Sequence, residues 1–148
     1  MNHEKALVGW REWVSLPDLG IPRIKAKIDS GARSSALHAF HVDAYTENGV
    51  RGVHFFIHPR QTDDSVVTEC KAQCVDYRWV CDSGGHKEKR YVINTQVSLG
   101  ALTWEIEMTL TNRDSMKFRM LLGRTAMRGR LLVDPERSYL VGRPRGKK

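Results

Sequence analysis

The sequence predicts a small all-β domain, either a barrel or a sandwich, with one short helix near its C-terminal end. Three observations carry this prediction: the chain has 148 residues, apolar residues recur at every second position, and turn-forming residues separate the alternating segments. A chain of this length supports one domain with a real core and is too short for two domains of ordinary size. We therefore expect one domain over residues 1–142, followed by a basic tail over residues 143–148.

The alternation begins before Asp29, where Ile24, Ala26 and Ile28 alternate with basic residues. Because successive side chains of a strand point to opposite faces, this segment is typical of a half-buried strand. Further alternating segments predict further strands. They are Val53 to Ile57, Val75 to Val80, Tyr91 to Val97 and Leu102 to Leu110.

Turn signals lie between these segments. Asn48-Gly49 is the clearest hairpin turn, because both residues tolerate a positive φ. Near the C-terminal end, Arg124 to Arg130 follows a short apolar run and predicts the one helix, which Gly129 is expected to end.

Composition excludes several classes of protein. A hydrophobic content of 41% excludes a largely disordered chain, and no apolar run approaches the roughly 18–20 residues that a membrane span requires. Residues 1–5 lack the basic and apolar stretches of a secretory signal. We therefore expect a soluble, cytoplasmic protein with no membrane partner.

The net charge of +7 is concentrated near the C-terminal end, since residues 113–148 hold 11 Lys/Arg and 3 Asp/Glu. Such a cluster can attract nucleic acid, a ribosome or an acidic polypeptide, although a solvated basic tail is commoner. No aromatic-studded basic strand or recognition helix accompanies the charge, so nucleic-acid binding is not favoured.

The segment Ile28-Asp29-Ser30-Gly31-Ala32 follows the first predicted strand and supplies the candidate catalytic carboxylate, Asp29. A carboxylate at the end of a strand can be held at the floor of a cleft. Gly31 lets the backbone turn sharply without a Cβ clash, and the Ser30 hydroxyl can tie the loop down. The same tripeptide is also an ordinary turn, so it requires a second motif.

Met120-Leu121-Leu122-Gly123-Arg124 supplies that motif, 91 residues after Asp29 when counted to Met120. Taken alone, it is typical of a buried strand that ends in a glycine turn. Together and in this order, the two motifs resemble the hallmarks of the retropepsin-like aspartyl peptidases. The resemblance implies that Leu121 and Leu122 pack behind the catalytic loop and that Gly123-Arg124 begins the short helix.

A closer resemblance covers nearly the whole chain. Residues 9–14, 26–39, 82–93 and 110–139 are similar to a bacterial family labelled ATP-dependent zinc proteases. This resemblance implies a small closed barrel of the retropepsin or acid-protease type with one short C-terminal helix. It also implies a polypeptide substrate and an association with ATP-grasp ligases that add glutamate to proteins.

Peptide hydrolysis by the retropepsin class requires two carboxylates that share one proton. The chain offers one suitable aspartate, Asp29, so the resemblance implies a homodimer that pairs Asp29 with its copy. One position departs from the family: retropepsins often carry Asp four residues after the catalytic Asp, where it pairs with the arginine of Gly-Arg. Here that position is Arg33, so we expect Arg124 to lack this partner and the two arginines to repel each other unless another carboxylate intervenes.

A second Asp-Ser-Gly occurs at residues 82–84, followed by the polar residues 85–90. This segment is typical of a hairpin tip between two strands and not of a second catalytic loop. In the retropepsin layout the hairpin is the flap over the cleft, formed by Ser83, Gly84, Gly85 and His86. The glycines then supply mobility and His86 contacts substrate, although an exposed hairpin without a role in the chemistry fits the pattern equally well.

No metal site or cofactor is predicted. The chain has no His-Glu-x-x-His motif, which a zinc peptidase commonly carries. Three pairs have ligand-like spacing and are more simply read as surface histidines and packed thiols; they are His38 with His41, His54 with His58, and Cys70 with Cys74. The three cysteines are expected to be reduced.

Three hypotheses follow, in order of preference. The first is a dimeric aspartyl endopeptidase that acts on an acidic or glutamylated polypeptide. The second is a non-catalytic binding or adaptor partner of an ATP-grasp glutamate ligase. The third is a basic protein that binds nucleic acid or ribosomes.

Overall fold

The computed structural model describes residues 5–61, 63–81, 84–112 and 117–142. These residues form eleven strands, one short α-helix and one 3₁₀ turn at Pro17–Leu19. The prediction of a mostly β chain with a single short helix is confirmed. The elements are β1 (Ala6–Gly9), β2 (Arg11–Leu16), β3 (Ile21–Ile28), β4 (Ser35–His38), β5 (Phe40–Glu47), β6 (Val50–Ile57), β7 (Thr68–Cys81), β8 (Lys87–Leu99), β9 (Leu102–Thr111), β10 (Met120–Leu122), α1 (Arg124–Met127) and β11 (Leu131–Asp134).

Nine strands form one sheet in the order β2-β3-β10-β4-β9-β8-β7-β6-β5, and β1 pairs with β11 in a separate two-stranded parallel sheet. Strand β2 also pairs with β8 at a single residue pair, Ser15 with Ser98. Strands β2, β3, β10, β4, β9 and β8 therefore follow one another in a ring. The closed barrel itself stays a prediction, because one residue pair is all that joins the ring at this point in the described residues.

The core lies among the strands of this ring. It contains Val14, Ile24, Leu37, Met108 and Leu122, none of which exposes measurable side-chain surface. In β2 and β9 the buried positions recur at every second residue along most of the strand, as the sequence pattern predicts. Strand β4 differs, since all four of its residues are buried. Strand β4 pairs with β10 and β9 along its two edges and also contacts α1, and a strand that is buried on both faces shows no alternation.

Two local predictions can be compared with the backbone. Asn48 and Gly49 have φ values of 53° and 78° and connect β5 to β6 in an antiparallel hairpin, which confirms the predicted turn. The predicted helix is too long, because α1 ends at Met127 and Gly129 turns the chain at a φ of 80°. The reason is local: the Arg130 N–H donates to the Met127 carbonyl and closes a turn there.

The hairpin of β7 and β8 extends beyond the ring. Residues 68–73 of β7 pair with β6, whereas residues 74–81 pair with β8. The strand predicted from Val75 to Val80 is confirmed and longer than predicted. Its apolar face is not buried, since Val75, Tyr77 and Trp79 are 41%, 41% and 67% exposed.

One buried carboxylate joins the two ends of the described chain. Glu12 is completely buried, and its Oε2 accepts hydrogen bonds from the Gly9 N–H (2.7 Å) and the Leu140 N–H (2.9 Å). Its Oε1 accepts from the Val141 N–H at 3.3 Å. The predicted basic tail lies outside the described residues. Within them, no helix has the length and apolar character of a membrane span.

Candidate active site

The loop that carries Asp29 is fixed mainly by its own backbone. The Asp29 N–H donates to the Leu122 carbonyl at 2.9 Å, which places the loop directly after β3 and beside β10. The Ala32 N–H donates to the Asp29 carbonyl at 3.2 Å, and the Gly31 N–H donates to Asp29 Oδ1 at 3.0 Å. One carboxylate oxygen of Asp29 is thus held within the loop while the side chain remains partly exposed.

A glycine is needed at position 31 because a Cβ would crowd the Asp29 carboxylate, and not because the backbone makes a special turn. It does not adopt a positive φ. A Cβ at this position would lie 3.3 Å from Asp29 Oδ1, which is closer than ordinary van der Waals contact. The glycine therefore lets the backbone N–H approach the carboxylate, whereas the sequence had predicted that it serves a sharp turn.

Gly123 allows β10 to lie against the segment that follows the loop. A Cβ on Gly123 would lie 2.5 Å from the carbonyl carbon and oxygen of Ser34 and 2.9 Å from the Ser35 nitrogen. At this close approach the Gly123 N–H donates to the Ser35 hydroxyl at 3.0 Å. Ser35 is buried, and the sequence did not point to it, since a serine between Ser34 and Ala36 carries no motif.

The first turn of α1 holds the other side of the loop. The Arg124 N–H donates to the Ala32 carbonyl at 2.7 Å, and Arg124 Nη1 donates to the Ser30 carbonyl at 3.0 Å. The Thr125 N–H and hydroxyl both donate to the Arg33 carbonyl, at 3.1 and 3.0 Å. The loop is therefore tied down through the Ser30 carbonyl and not through its hydroxyl, which has no partner among the described residues.

These contacts show how Arg124 is held although residue 33 is an arginine and not the aspartate usual in retropepsins. The sequence predicted that Arg124 lacks the carboxylate partner usual in retropepsins, and Arg124 instead donates to a main-chain carbonyl of the loop. Arg33 takes part through its own carbonyl, and its side chain is exposed. Exposure to water weakens the predicted repulsion between the two guanidinium groups.

Trp104 of β9 packs against the short helix and anchors it. The Trp104 side chain is 7% exposed, and its indole N–H donates to the Ala126 carbonyl at 3.1 Å. The guanidinium of Arg130 lies 5.5 Å from the centre of the Trp104 ring. A helix of one turn is not stable alone, so this packing keeps Arg124 and Thr125 in place.

A cavity of about 1350 Å³ lies between the Asp29 loop and the β7–β8 hairpin. It brings together most of the residues that the sequence predicted. From the loop it is lined by Asp29, Gly31, Ala32 and Arg33, from the hairpin by Gly84 and His86, and from the β10–α1 segment by Leu121 and Arg124.

The remaining predicted residues lie around this cavity. Ser30 is exposed beside it, and Gly85 has a φ of 85° at the hairpin tip, which only glycine adopts easily. Ser83 lies outside the described residues. Leu122 is fully buried behind the loop, whereas Leu121 is half-buried and forms part of the cavity wall.

The wall of the cavity is predominantly cationic. Among the described residues, seven lysine and arginine side chains and three acidic side chains line it. The cationic residues are Lys27, Arg33, Arg78, Arg90, Arg124, Arg128 and Arg130, and the acidic residues are Asp29, Glu105 and Glu107. The basic C-terminal third of the sequence contains three of the arginines. Arg78 and Arg90 carry no local sequence signal, because the hairpin brings them to the cavity.

A chain of hydrogen bonds connects the hairpin to the Asp29 loop. Arg90 is 7% exposed; its Nε donates to Glu88 Oε1 at 2.8 Å and its Nη1 donates to the Thr109 hydroxyl at 3.1 Å. The Thr109 hydroxyl donates to the Ser35 carbonyl at 2.9 Å. Since the Ser35 hydroxyl accepts from Gly123, the arm of the hairpin and the β10–α1 segment share one buried polar network.

The pairs with ligand-like spacing have other partners. His54 Nε2 contacts Glu69 Oε2 at 2.5 Å, and His58 Nδ1 contacts the Val66 carbonyl at 3.2 Å. Among the described residues the three cysteines form no disulfide, and burial raises the pKa of the Cys70 thiol to about 11. In the part of the chain that the structure describes, no three His, Cys, Asp or Glu side chains are grouped so that they could hold a metal ion.

Comparison with known proteins relates the whole domain to one family. The sequence profile of the RimB-like family, described as retropepsin-like aspartic endopeptidase RimB, matches residues 7–144. A crystal structure of a Legionella pneumophila protein of unknown function superposes with a TM-score of 0.77 at 25% identity, over 93% of this chain and 99% of that one.

Curated relatives carry a different name. A protein of Shewanella pealeana is 46% identical over 142 residues, and a protein of Parasynechococcus marenigrum is 51% identical over 138 residues; both are named probable alpha-L-glutamate ligase. The matches cover 96% and 93% of this chain but 31% and 30% of those proteins. The chain thus spans about a third of the length of these relatives. From the family profile, which covers almost its full length, the chain belongs to the RimB-like family of retropepsin-like aspartic endopeptidases.

Proposed function

We propose that the chain is an aspartyl endopeptidase that hydrolyses peptide bonds of a polypeptide through paired Asp29 residues of a homodimer. The observation that carries this proposal is the position of Asp29. Its carboxylate lies on a backbone-fixed loop, in the wall of a large cavity, opposite a hairpin that contributes Gly84 and His86. Family membership supports the same reaction class.

The chemistry requires two carboxylates in contact. Like charges so close cannot both ionise, so the pair holds one proton between them. The ionised member removes a proton from a water molecule, and the protonated member donates its proton to the carbonyl oxygen of the substrate. One chain contributes one such aspartate, so a second copy completes the site. Arg124 and Gly123 act as positioning residues, because they hold the loop and do not carry the reacting atoms.

An acidic or glutamylated polypeptide is the substrate class that the cavity favours. Seven cationic side chains against three acidic ones give its wall a positive field, even though Arg78 is paired with Glu107 at 2.5 Å and Arg90 with Glu88 at 2.8 Å. A positive cleft raises the local concentration of an anionic chain. The expected consequence is a preference for glutamate-rich over glutamine-rich peptides that weakens as salt is added.

The alternative function is a non-catalytic adaptor of an ATP-grasp glutamate ligase. The observation that favours it is the name of the relatives, each of which contains a segment similar to this chain within a protein three times as long. In that case the cationic cavity binds an acidic chain without cleaving it.

Substitution of Asp29→Asn separates the two functions, because it removes the charge and preserves the shape. Asp43→Asn, on the exposed edge strand β5, is the matched control. Purified variants are incubated with a glutamate-rich peptide and with its glutamine-rich counterpart, and cleavage and binding are measured by mass spectrometry and fluorescence anisotropy. Cleavage that is lost in Asp29→Asn and retained in Asp43→Asn supports the peptidase. Binding without cleavage by the unmodified protein supports the adaptor, and equal affinity for both peptides refutes the acidic preference.

A further inference from the structure

The outer arm of the β7–β8 hairpin has an open edge. Residues 74–81 of β7 pair with β8 on one side, and pairing with β6 on the other side stops at Gln73. The Tyr77 N–H donates to the Asp76 carboxylate at 2.8 Å, so it points away from β8 and toward this edge. Among the described residues, no strand covers the edge of β7 from Val75 to Trp79.

The side chains along this edge are those of a surface that a partner covers. Tyr77 and Trp79 share one face of the strand and are 41% and 67% exposed, and Val75, which lies where the pairing with β8 shifts register, is 41% exposed. Tyr77 stacks on Tyr91 with ring centres 4.3 Å apart, which makes this face rigid and aromatic. Monomeric proteins rarely leave an apolar strand edge open, because another strand can pair with it.

The opposite face of the same strand carries one acid and one base. Asp76 and Arg78 contact each other at 3.3 Å, and their side chains are 47% and 41% exposed. Arg78 also contacts Glu107 at 2.5 Å. The order along the strand is therefore Val75, Asp76, Tyr77, Arg78, Trp79.

This order is self-complementary about Tyr77. If the same segment of a second copy pairs antiparallel with Tyr77 opposite Tyr77, each N–H and carbonyl of Tyr77 faces its counterpart. Asp76 then lies opposite the partner's Arg78. This relation occurs twice because the pairing has twofold symmetry. Opposite charges and aromatic pairs at directly facing positions stabilise a strand pair.

We infer that the edge of β7 from Val75 to Trp79 is a self-association surface, on which a second copy of this chain docks by antiparallel strand pairing. The Asp76 carboxylate leaves the Tyr77 N–H and binds the arginine of the other copy. Five residues per strand form a small interface, below the roughly 1200–2000 Å² of a stable complex, so the dimer is weak and depends on concentration. Arg78 and Trp79 also line the cavity, so the second copy lies at its rim.

Charge reversal tests the pairing directly. In Asp76→Arg the two residues beside Tyr77, at positions 76 and 78, are both basic, and in Arg78→Asp both are acidic. Each variant alone places like charges opposite each other twice, so we expect the dissociation constant for association through the β7 edge to rise about tenfold or more. An equimolar mixture of the two variants restores opposite charges at every facing position. We therefore expect the mixture to associate about as strongly as the unmodified protein.

Sedimentation equilibrium up to millimolar concentration measures these constants, and circular dichroism verifies that each variant is folded. Glu136→Arg and Arg23→Asp, at exposed positions away from β7, are the charge-matched controls. Recovery in the mixture distinguishes pairing between chains from the contact of Asp76 with Arg78 within one chain. Unchanged association of the single variants, no recovery in the mixture, or a strictly monomeric unmodified protein overturns the inference.

The two proposals have separate tests, except that a strictly monomeric unmodified protein overturns both, because the peptidase also requires a homodimer. Asp29 is not part of this surface, and Asp29→Asn leaves the sequence of the edge unchanged. A dimer that ignores the charge reversals overturns only the docking surface, whereas cleavage that persists in Asp29→Asn overturns only the peptidase.

Discussion

Replacing Gly123 by alanine should disrupt the candidate active site by displacing β10 or the segment that follows the Asp29 loop. The added Cβ would lie 2.5 Å from the Ser34 carbonyl group and 2.9 Å from the Ser35 nitrogen. All of these atoms belong to the backbone, so no side chain can rotate away. Either β10 or the segment after the Asp29 loop must move.

The cost has two parts. Overpacking at a site that cannot relax easily costs about 1–3 kcal/mol. Movement also breaks the buried hydrogen bond from the Gly123 N–H to the Ser35 hydroxyl, which contributes about 1 kcal/mol. We therefore expect the free energy of unfolding to fall by about 2–4 kcal/mol, which is a large fraction of the roughly 5–15 kcal/mol of an ordinary domain.

Urea denaturation followed by tryptophan fluorescence measures this loss, and Gly129→Ala is the comparison. Gly129 has a φ of 80° with no atom within 4 Å of the added Cβ, so its alanine variant carries only the backbone penalty of about 1–2 kcal/mol. Peptide cleavage, where it occurs, should fall further in Gly123→Ala than in Gly129→Ala. A Gly123→Ala protein as stable as the unmodified one, or less affected than Gly129→Ala, would refute this reasoning.

Three further predictions follow from single side chains. Arg124→Met removes the hydrogen bond to the Ser30 carbonyl. Because Arg124 is exposed, the free energy of unfolding should change by less than about 1 kcal/mol, while peptidase turnover should fall at least about tenfold. Unchanged turnover would contradict a positioning role. Glu12→Gln presents an amide group to a site that holds three N–H donors, so urea denaturation should show a loss of about 1–3 kcal/mol. Burial raises the pKa of Cys70 to about 11, so the folded state keeps a proton that the unfolded chain loses first. Stability should therefore fall by up to roughly 3 kcal/mol between pH 9 and about 11, and Cys70→Ala should show a flatter profile.

Local features were predictable from the sequence. The Asn48-Gly49 turn depends on the φ preferences of two adjacent residues, so these two residues were enough to predict it. The strands around Ile24 and Met108 were predictable because alternation records one buried face. The same pattern misled at Tyr77, because alternation shows that a strand has two faces and not which face the fold covers.

The site was predictable only in part. Asp29 and Gly123 occur in recognisable motifs, and the structure places them in adjoining segments. Ser35 and Thr109 support that arrangement through hydrogen bonds between segments that are distant in the sequence. No local sequence pattern predicts such partners. Arg90 reaches the cavity because β8 is long enough to extend beyond the ring. The sequence predicted too long a helix after Arg124, since it could not show that the Arg130 N–H closes a turn on the Met127 carbonyl.

The contacts that fix the Asp29 loop have a consequence for how the protein is made. The hydrogen bond from Arg124 to Ser30 spans 94 residues, that from Thr125 to Arg33 spans 92, and that from Gly123 to Ser35 spans 88. Contacts between such distant residues form slowly, because a long loop must close first. During synthesis the loop leaves the ribosome long before the segment that shapes it. A nascent chain therefore carries Asp29 only as an ordinary surface carboxylate, and the geometry of the candidate site appears when the segment from Gly123 to Thr125 has been made and has folded against the loop.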